Sequence, residues 1–70
     1  MEDNKIKRAL ETLISFNAGK KIDGRLIDGC IGLIENYKDT SKCIELNGKS
    51  YNFTEIRNII VSAIENRNRL

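Results

Sequence analysis

The sequence predicts a small α+β domain in the order α-β-β-β-α, with a three-stranded antiparallel meander packed by two amphipathic helices. Three observations predict it: apolar residues at helical spacing in the first and last thirds, an alternating pattern between them, and an Asn-Gly pair typical of a hairpin. A small barrel with an N-terminal helix is the alternative. Residues 1–70 are expected to form a single domain, because the chain shows no linker or low-complexity segment.

The first predicted element is a helix over residues 3–18. Asp3 or Asn4 is expected to cap its start, because a short side-chain oxygen accepts from the free amides of the first turn. Gly19 is expected to end it in the left-handed conformation. The apolar residues that would line one face of this helix are Ile6, Ala9, Leu10, Leu13 and Ile14.

The segment KKIDGRLIDGCIGLIE, residues 20–35, is predicted to contain the first strand. From Ile22 the apolar pattern alternates, and Ile27, Ile31 and Leu33 would share one strand face. Its glycines favour a strand that bends over a small core, since glycine inside a strand marks a bulge or a bend. Asp23-Gly24 is the predicted turn between the first helix and the sheet.

The same glycines raise the question of a phosphate-binding loop. Gly24 and Gly29 are separated like the two glycines of the phosphate-binding motif G-x-x-x-x-G-K-[ST]. Cys30 and Ile31, however, occupy the positions where the motif needs a lysine and a serine or threonine. A helix should also follow such a loop, whereas a strand pattern follows here. The sequence therefore argues against nucleotide binding at this segment.

Two further strands are predicted around Asn47-Gly48, the strongest hairpin signal in the chain. Ile44 would lie on the core face of the first strand. Tyr51 and Phe53 would share one face of the second strand. We expect their rings to be buried in the core rather than exposed for stacking against nucleic-acid bases.

A second helix is predicted over residues 54–67, with Thr54 as its cap. Glu55 would lie in its first turn and Arg67 near its last, as the helix dipole prefers. Because β-branched residues are frequent here, a short turn followed by a strand is the alternative. The expected buried face consists of Ile56, Ile59, Ile60, Ala63 and Ile64.

The composition argues against an enzyme. The 70 residues contain no histidine, and the only two cysteines, Cys30 and Cys43, are too far apart for a C-x-x-C pair. We therefore expect no metal, no cofactor and no catalytic residues, and structural thiols. The absence of a long apolar run argues against a membrane span and for a cytoplasmic protein with reduced thiols. Frequent Ile, Asn and Lys suit a bacterial or phage source.

Residues 29–59, GCIGLIENYKDTSKCIELNGKSYNFTEIRNI, resemble the core of YolD-like proteins. In that family a glycine opens a strand and a later strand leads into hydrophobic-x-F-[DE]-[DE]-I-x-x-I; Gly29, Ile34-Glu35 and YNFTEIRNI occupy the matching places. The same region is similar to SH3-like and Sm-like barrels. The resemblance implies a small β-rich module that binds rather than catalyses. Sm-like proteins bind RNA as rings, and YolD-like proteins are linked to DNA-damage polymerase operons. The resemblance assigns no site residues.

The first functional hypothesis is a non-enzymatic protein-binding module, namely a regulator, inhibitor or adaptor. Its predicted contact residues are Tyr37, Lys38 and Lys42 in the polar turn, because an exposed aromatic residue can anchor a protein contact. The helix face over 54–67 would serve a homodimer. A protein partner is therefore expected, and a homo-oligomer is a second form of contact.

The alternative is a small nucleic-acid-binding protein. Its predicted site is the basic cluster Lys20, Lys21 and Arg25, joined by Lys5, Lys7 and Arg8 near one end of the first helix. A net charge of +2 is low for this class. The arrangement of charges discriminates the hypotheses: if the ends of both helices converge, Lys20 and Lys21 would join Arg67 and Arg69 in one basic surface.

Overall fold

The computed structural model describes residues 2–36 and 43–69, and these residues form three helices and one β-hairpin. The first helix packs against both other helices and against the first strand. The strands pair antiparallel, with Ile44 opposite Tyr51. The elements are α1 (Glu2–Asn17), α2 (Gly24–Glu35), β1 (Ile44–Leu46), β2 (Lys49–Tyr51) and α3 (Phe53–Asn68).

Helix α1 confirms the first predicted helix. Asp3 and Asn4 lie within the helix instead of capping it, because the helix already begins at Glu2. Gly19 has a φ of +106° and ends the helix as expected. Phe16 is buried, and Ile14, which was expected in the core, is half-buried.

The predicted bent strand is wrong, because residues 24–35 form helix α2. Asp23 is its N-cap, and the Asp23 carboxylate accepts a hydrogen bond of 2.9 Å from the Arg25 amide. The predicted α-β-β-β-α order with its three-stranded meander is therefore wrong, and so is the small barrel: within residues 2–36 and 43–69 the order is α-α-β-β-α, mostly helical, and the sheet has two strands. Asp23-Gly24 begins this helix rather than turning into a sheet.

Burial outweighs the poor helix propensity of α2. Gly29 and Gly32 lie in its interior, and each costs about 1 kcal/mol relative to alanine. Burying one isoleucine side chain contributes about 1.5–3 kcal/mol. Three isoleucines are buried on this helix, so the gain exceeds the cost of both glycines. The buried residues of α2 are Ile27, Cys30, Ile31 and Ile34, which also have helical spacing.

The hairpin is confirmed at the predicted turn. Asn47 and Gly48 have φ values of 53° and 82°, as a two-residue turn of the I′ type requires. Ile44 is buried, and Tyr51 packs at the edge of the core. Phe53 was expected beside Tyr51 on the strand, but it begins α3 and is 49% exposed.

Helix α3 confirms the second predicted helix over its strand alternative. Its cap is Asn52 rather than Thr54: the Asn52 side chain accepts from the Glu55 amide at 2.9 Å, and the Glu55 carboxylate accepts from the Asn52 amide at 3.2 Å. This reciprocal pair is a capping box, which satisfies two free amides at once. Ile64, expected in the core, is 39% exposed.

One continuous core joins all three helices and β1. Leu10, Leu13 and Ile27 are its largest fully buried side chains. No described polar side chain is buried without a hydrogen-bond partner. The full set of buried apolar residues is Ile6, Ala9, Leu10, Leu13, Phe16, Ile27, Cys30, Ile31, Ile34, Ile44, Ile56 and Ala63.

Candidate functional site

The end of α1 places two lysines at the surface. The Lys20 amide donates to the Ser15 carbonyl and the Gly19 amide donates to the Phe16 carbonyl, both at 3.1 Å. Together these bonds form a Schellman motif, which satisfies the last carbonyls of a helix. The motif turns the chain sharply, so that exposed Lys20 and Lys21 follow directly after the helix.

A pair of asparagines joins this end of α1 to the end of α3. The Asn66 side-chain amide donates to the Asn17 side-chain oxygen at 2.9 Å. The Asn17 amide nitrogen in turn donates to the Ile59 carbonyl at 3.1 Å. Both asparagines are partly buried, where a hydrogen bond is electrostatically stronger than in water. The two helix ends are therefore held together by specific polar contacts.

An open depression of about 490 Å³ lies where these helix ends meet. Phe16 is buried and Ile22 is half-buried, so they supply an apolar floor. Lys20, Lys21 and Arg69 are exposed and supply the rim. We call this feature the basic depression; its lining residues are Phe16, Asn17, Gly19, Lys20, Lys21, Ile22, Asn66 and Arg69.

The charge of the basic depression has one sign. Its described lining holds three cationic side chains and no carboxylate. Helices α1 and α3 both end here, and each C-terminus carries a partial charge of about −0.5. These partial charges offset part of the cationic charge, so the depression is moderately rather than strongly positive.

Arg67 does not join this surface. Its guanidinium Nε lies 3.2 Å from the Asp28 carboxylate and donates to the Gly24 carbonyl at 3.2 Å. These contacts tie the last turn of α3 to the first two turns of α2. A Cβ atom at Gly24 would lie 2.7 Å from the guanidinium, so the glycine permits this close approach. Arg67 is therefore a structural residue.

The sequence-predicted nucleic-acid residues divide into two groups. Lys20 and Lys21 lie together on the rim, and Arg69 joins them. Arg25 lies in the first turn of α2 and does not line the depression. The predicted protein-contact residues Tyr37, Lys38 and Lys42 lie outside the described residues.

The bases of the first turns of α1 are remote from the depression. Lys5, Lys7 and Arg8 are exposed in the first half of the helix. At 1.5 Å per residue, Arg8 lies roughly 14 Å along the axis from Asn17. They therefore do not form one cluster with Lys20 and Lys21, as the sequence had suggested.

Sequence reasoning missed Phe16, Asn17, Ile22 and Asn66. The two asparagines are 49 positions apart, so no local pattern links them. The one available signal was an asparagine in the last turn of each predicted helix, close to the basic residues.

The two thiols have different surroundings. Cys30 and Cys43 are both free, and Cys30 is buried whereas Cys43 is exposed. Burial raises the pKa of the Cys30 thiol, and a hydrogen bond with Thr12 partly opposes this rise. A raised pKa keeps Cys30 protonated near neutral pH, where the thiol is a poor nucleophile. The structural role expected of this thiol fits its burial.

Neither a metal centre nor a bilayer-crossing element is present in the part of the chain that the structure describes. No three Cys, Asp or Glu residues there are grouped to hold a metal ion. None of the described helices combines the length and the apolar character that crossing a membrane requires.

Comparison with known proteins gives no relative for this chain. No family model, no curated protein and no solved structure matches it. The similarity to YolD-like and Sm-like proteins stays a prediction. The residues that matched the first strand of that pattern, Gly29 and Ile34-Glu35, lie in helix α2.

Proposed function

We propose that this chain is a non-enzymatic protein-binding module, acting as a regulator, inhibitor or adaptor, and that the basic depression docks an acidic segment of its protein partner. One observation supports the proposal above all: Lys20, Lys21 and Arg69 surround a floor built from Phe16 and Ile22. An apolar floor with a charged rim suits a segment in which an apolar side chain stands beside carboxylates.

The chemistry of the rim fits a peptide carboxylate. Arg69 offers a planar fork that matches a carboxylate with two hydrogen bonds, whereas the lysines act as mobile point charges. Apolar contact with the floor would supply the non-directional part of the affinity. Three charges around an apolar floor suit moderate affinity for a short motif.

Nucleic-acid binding is the second candidate, because Lys20, Lys21 and Arg69 converge on one surface. A protein that makes about 6–10 phosphate contacts takes most of its affinity from them, as its steep loss of affinity with added salt shows. Three cations, partly offset by two helix C-termini, supply fewer. This comparison favours the protein partner.

Fluorescence anisotropy with defined probes tests the proposal. The probes are a labelled peptide of alternating Glu and Leu, its Gln-Leu counterpart, single-stranded RNA and duplex DNA, each at low and near-physiological salt. We expect the acidic peptide to bind and the Gln-Leu peptide not to bind. We also expect the nucleic acids to bind more weakly than the acidic peptide at near-physiological salt.

Two matched charge reversals locate the binding. Lys20→Glu with Lys21→Glu should weaken peptide binding roughly ten-fold, because each exposed ion pair contributes about 0.2–1 kcal/mol and reversal adds repulsion. Lys5→Glu with Lys7→Glu makes the same change in net charge on the remote half of α1 and should have little effect. Equal losses in both variants would refute a specific site at the depression. Tight RNA or DNA binding that the first variant abolishes would favour the second candidate.

A further inference from the structure

Asn66 lines the basic depression, and a chain of hydrogen bonds fixes the orientation of its side chain. The Ile59 carbonyl can only accept, so the Asn17 atom that lies 3.1 Å from it is the amide nitrogen. The Asn17 side-chain oxygen is then turned toward Asn66 and accepts from the Asn66 amide nitrogen at 2.9 Å. The side-chain oxygen of Asn66 is consequently directed away from Asn17.

The side-chain oxygen of Asn66 is available to a ligand. No residue in 2–36 or 43–69 donates a hydrogen bond to it. In the same part of the chain, no buried side-chain oxygen lacks a hydrogen-bond partner, so this unpartnered oxygen is open to solvent. A group that bonds to it must supply an N–H or O–H donor. The depression therefore offers an acceptor as well as its cations and its apolar floor.

Arg69 lies beside Asn66 on the same side of α3. The Arg69 amide donates to the Asn66 carbonyl at 3.2 Å, and the Arg69 backbone keeps helical angles, with φ −88° and ψ −9°. Side chains three positions apart on a helix are neighbours, with Cβ atoms about 5–6 Å apart. The acceptor of Asn66 and the cationic fork of Arg69 are therefore close enough for one small ligand to reach both.

We propose that the basic depression recognises the C-terminal residue of its protein partner, and that this residue has an apolar side chain. The inference rests on the proposed function and specifies which carboxylate of the partner is bound. One terminal residue carries every group that the depression accommodates. Its N–H donates to the Asn66 side-chain oxygen, its α-carboxylate faces the Arg69 guanidinium and the two lysines, and its side chain covers the apolar floor.

A carboxylate inside the partner's chain fits this arrangement less well. In an extended chain neighbouring side chains point to opposite faces, so an acidic side chain and the apolar one next to it do not enter one depression together. In a helical ligand the backbone N–H groups are bonded within the helix and do not donate to Asn66. At a C-terminus the N–H, the side chain and the carboxylate share one α-carbon, which removes both obstacles.

The size and charge of the depression agree with a chain end as its occupant. Its volume of about 490 Å³ lies within the roughly 300–1,000 Å³ of pockets that bind small ligands. This space suits one or two residues rather than a folded surface. Its described lining has three cationic side chains and no carboxylate, which complements the negative charge that every free C-terminus carries. Capture of a terminal carboxylate is a recurring mode of peptide recognition.

Chemical changes at the end of a peptide test the inference without altering the protein. Fluorescence anisotropy would compare four peptides of alternating Glu and Leu, all labelled at the N-terminus. The first ends in Leu with a free carboxylate, the second ends in Leu amide, the third ends in Gly, and the fourth has an ester oxygen in place of the last N–H. We expect amidation and the terminal Gly each to weaken binding roughly ten-fold, and the ester to weaken it roughly five-fold.

Matched protein variants locate the carboxylate. In Arg69→Gln the ratio of the free-acid and amide affinities should fall from roughly ten-fold to roughly three-fold, because the guanidinium fork is lost while the lysines remain. Arg25→Gln makes the same change at an exposed position outside the depression and should leave the ratio unchanged. Circular dichroism checks that both variants fold.

The possible results separate this inference from the proposed function. If the free-acid and amide peptides bind equally well and the Gln-Leu peptide does not bind, the partner's C-terminus is not recognised, although the acidic segment still docks. An unchanged ratio in Arg69→Gln would also overturn the inference. If none of the peptides binds, the proposed function itself fails. Displacement of the peptide by an equal concentration of free leucine would replace the protein partner by an amino acid.

Discussion

Replacing Gly29 and Gly32 by alanine should stabilise the domain. Both glycines lie inside α2, and neither has a positive φ. A Cβ atom at either position would meet no atom within 4 Å, so alanine fits without a clash. Alanine is better than glycine by about 0.8–1.0 kcal/mol inside a helix, so the double variant should gain about 2 kcal/mol. For a domain of this size each kcal/mol raises Tm by roughly 4–8 °C.

Thermal and urea unfolding, followed by circular dichroism, would measure the gain. Gly19→Ala is the matched control, because it makes the same chemical change in equally open space but at a φ of +106°. That backbone conformation costs a residue with a Cβ atom roughly 1–2 kcal/mol, so the control should lose stability. The two results together would separate backbone strain from the effect of the added methyl group.

A loss of stability in Gly29→Ala and Gly32→Ala would refute this reasoning. The outcome is informative because a bent strand requires these glycines at its bends, whereas a helix does not. Stabilisation with unchanged or higher helical signal would agree with α2 as described. Destabilisation would mean that residues 24–35 are not helical in solution.

Three further predictions concern the cap, the core and the buried thiol. Asn52→Ala should lose about 1 kcal/mol of unfolding free energy in urea, because it removes the oxygen that accepts from the Glu55 amide; an unchanged midpoint would contradict the capping box. Leu13→Ala should lower the free energy of unfolding by about 2–5 kcal/mol and lower Tm accordingly, since Leu13 is fully buried. A loss below about 1 kcal/mol would place Leu13 outside the core. The pKa of Cys30 is raised by burial, so its contribution to stability is complete below the ordinary pKa of 9.0 and is lost as pH rises through the folded value. Stability curves between neutral and alkaline pH should therefore decline less in Cys30→Ala than in the parent protein, and parallel curves would refute this linkage.

Local sequence patterns predict an element correctly when its separate signals indicate the same structure. In α1 the apolar spacing and the glycine stop both indicate a helix that ends before Gly19, and the structure has it there. At Asn47-Gly48 two residues that tolerate positive φ fix a hairpin. Helix α3 was predicted from its apolar spacing, its expected cap and the charges at its ends, against the strand preference of its β-branched residues. Its burial on the core resolves that conflict.

Helix α2 was missed because its local signals disagree. The spacing of Ile27, Ile31 and Ile34 fits a helix, but Gly29 and Gly32 lower helix propensity and favour a bent strand. Tertiary burial decides between them, and burial against α1 cannot be read from a short window. The sequence predicted part of the rim of the basic depression, because Lys20 and Lys21 are adjacent in the chain. It did not predict the floor, which depends on contacts between distant segments.

The hydrogen bonds of Asn17 span 42 and 49 positions, which has a consequence for the order of folding. Closing a loop of n residues costs entropy that grows as about 1.5 RT ln n, so contacts between α1 and α2 should form before α3 docks. The basic depression then exists only after the last docking step. A ligand that binds there recognises the native state alone, and at 100 times its Kd it would add about 2.7 kcal/mol to stability. Slower unfolding in the presence of the partner would accordingly report occupancy of the depression.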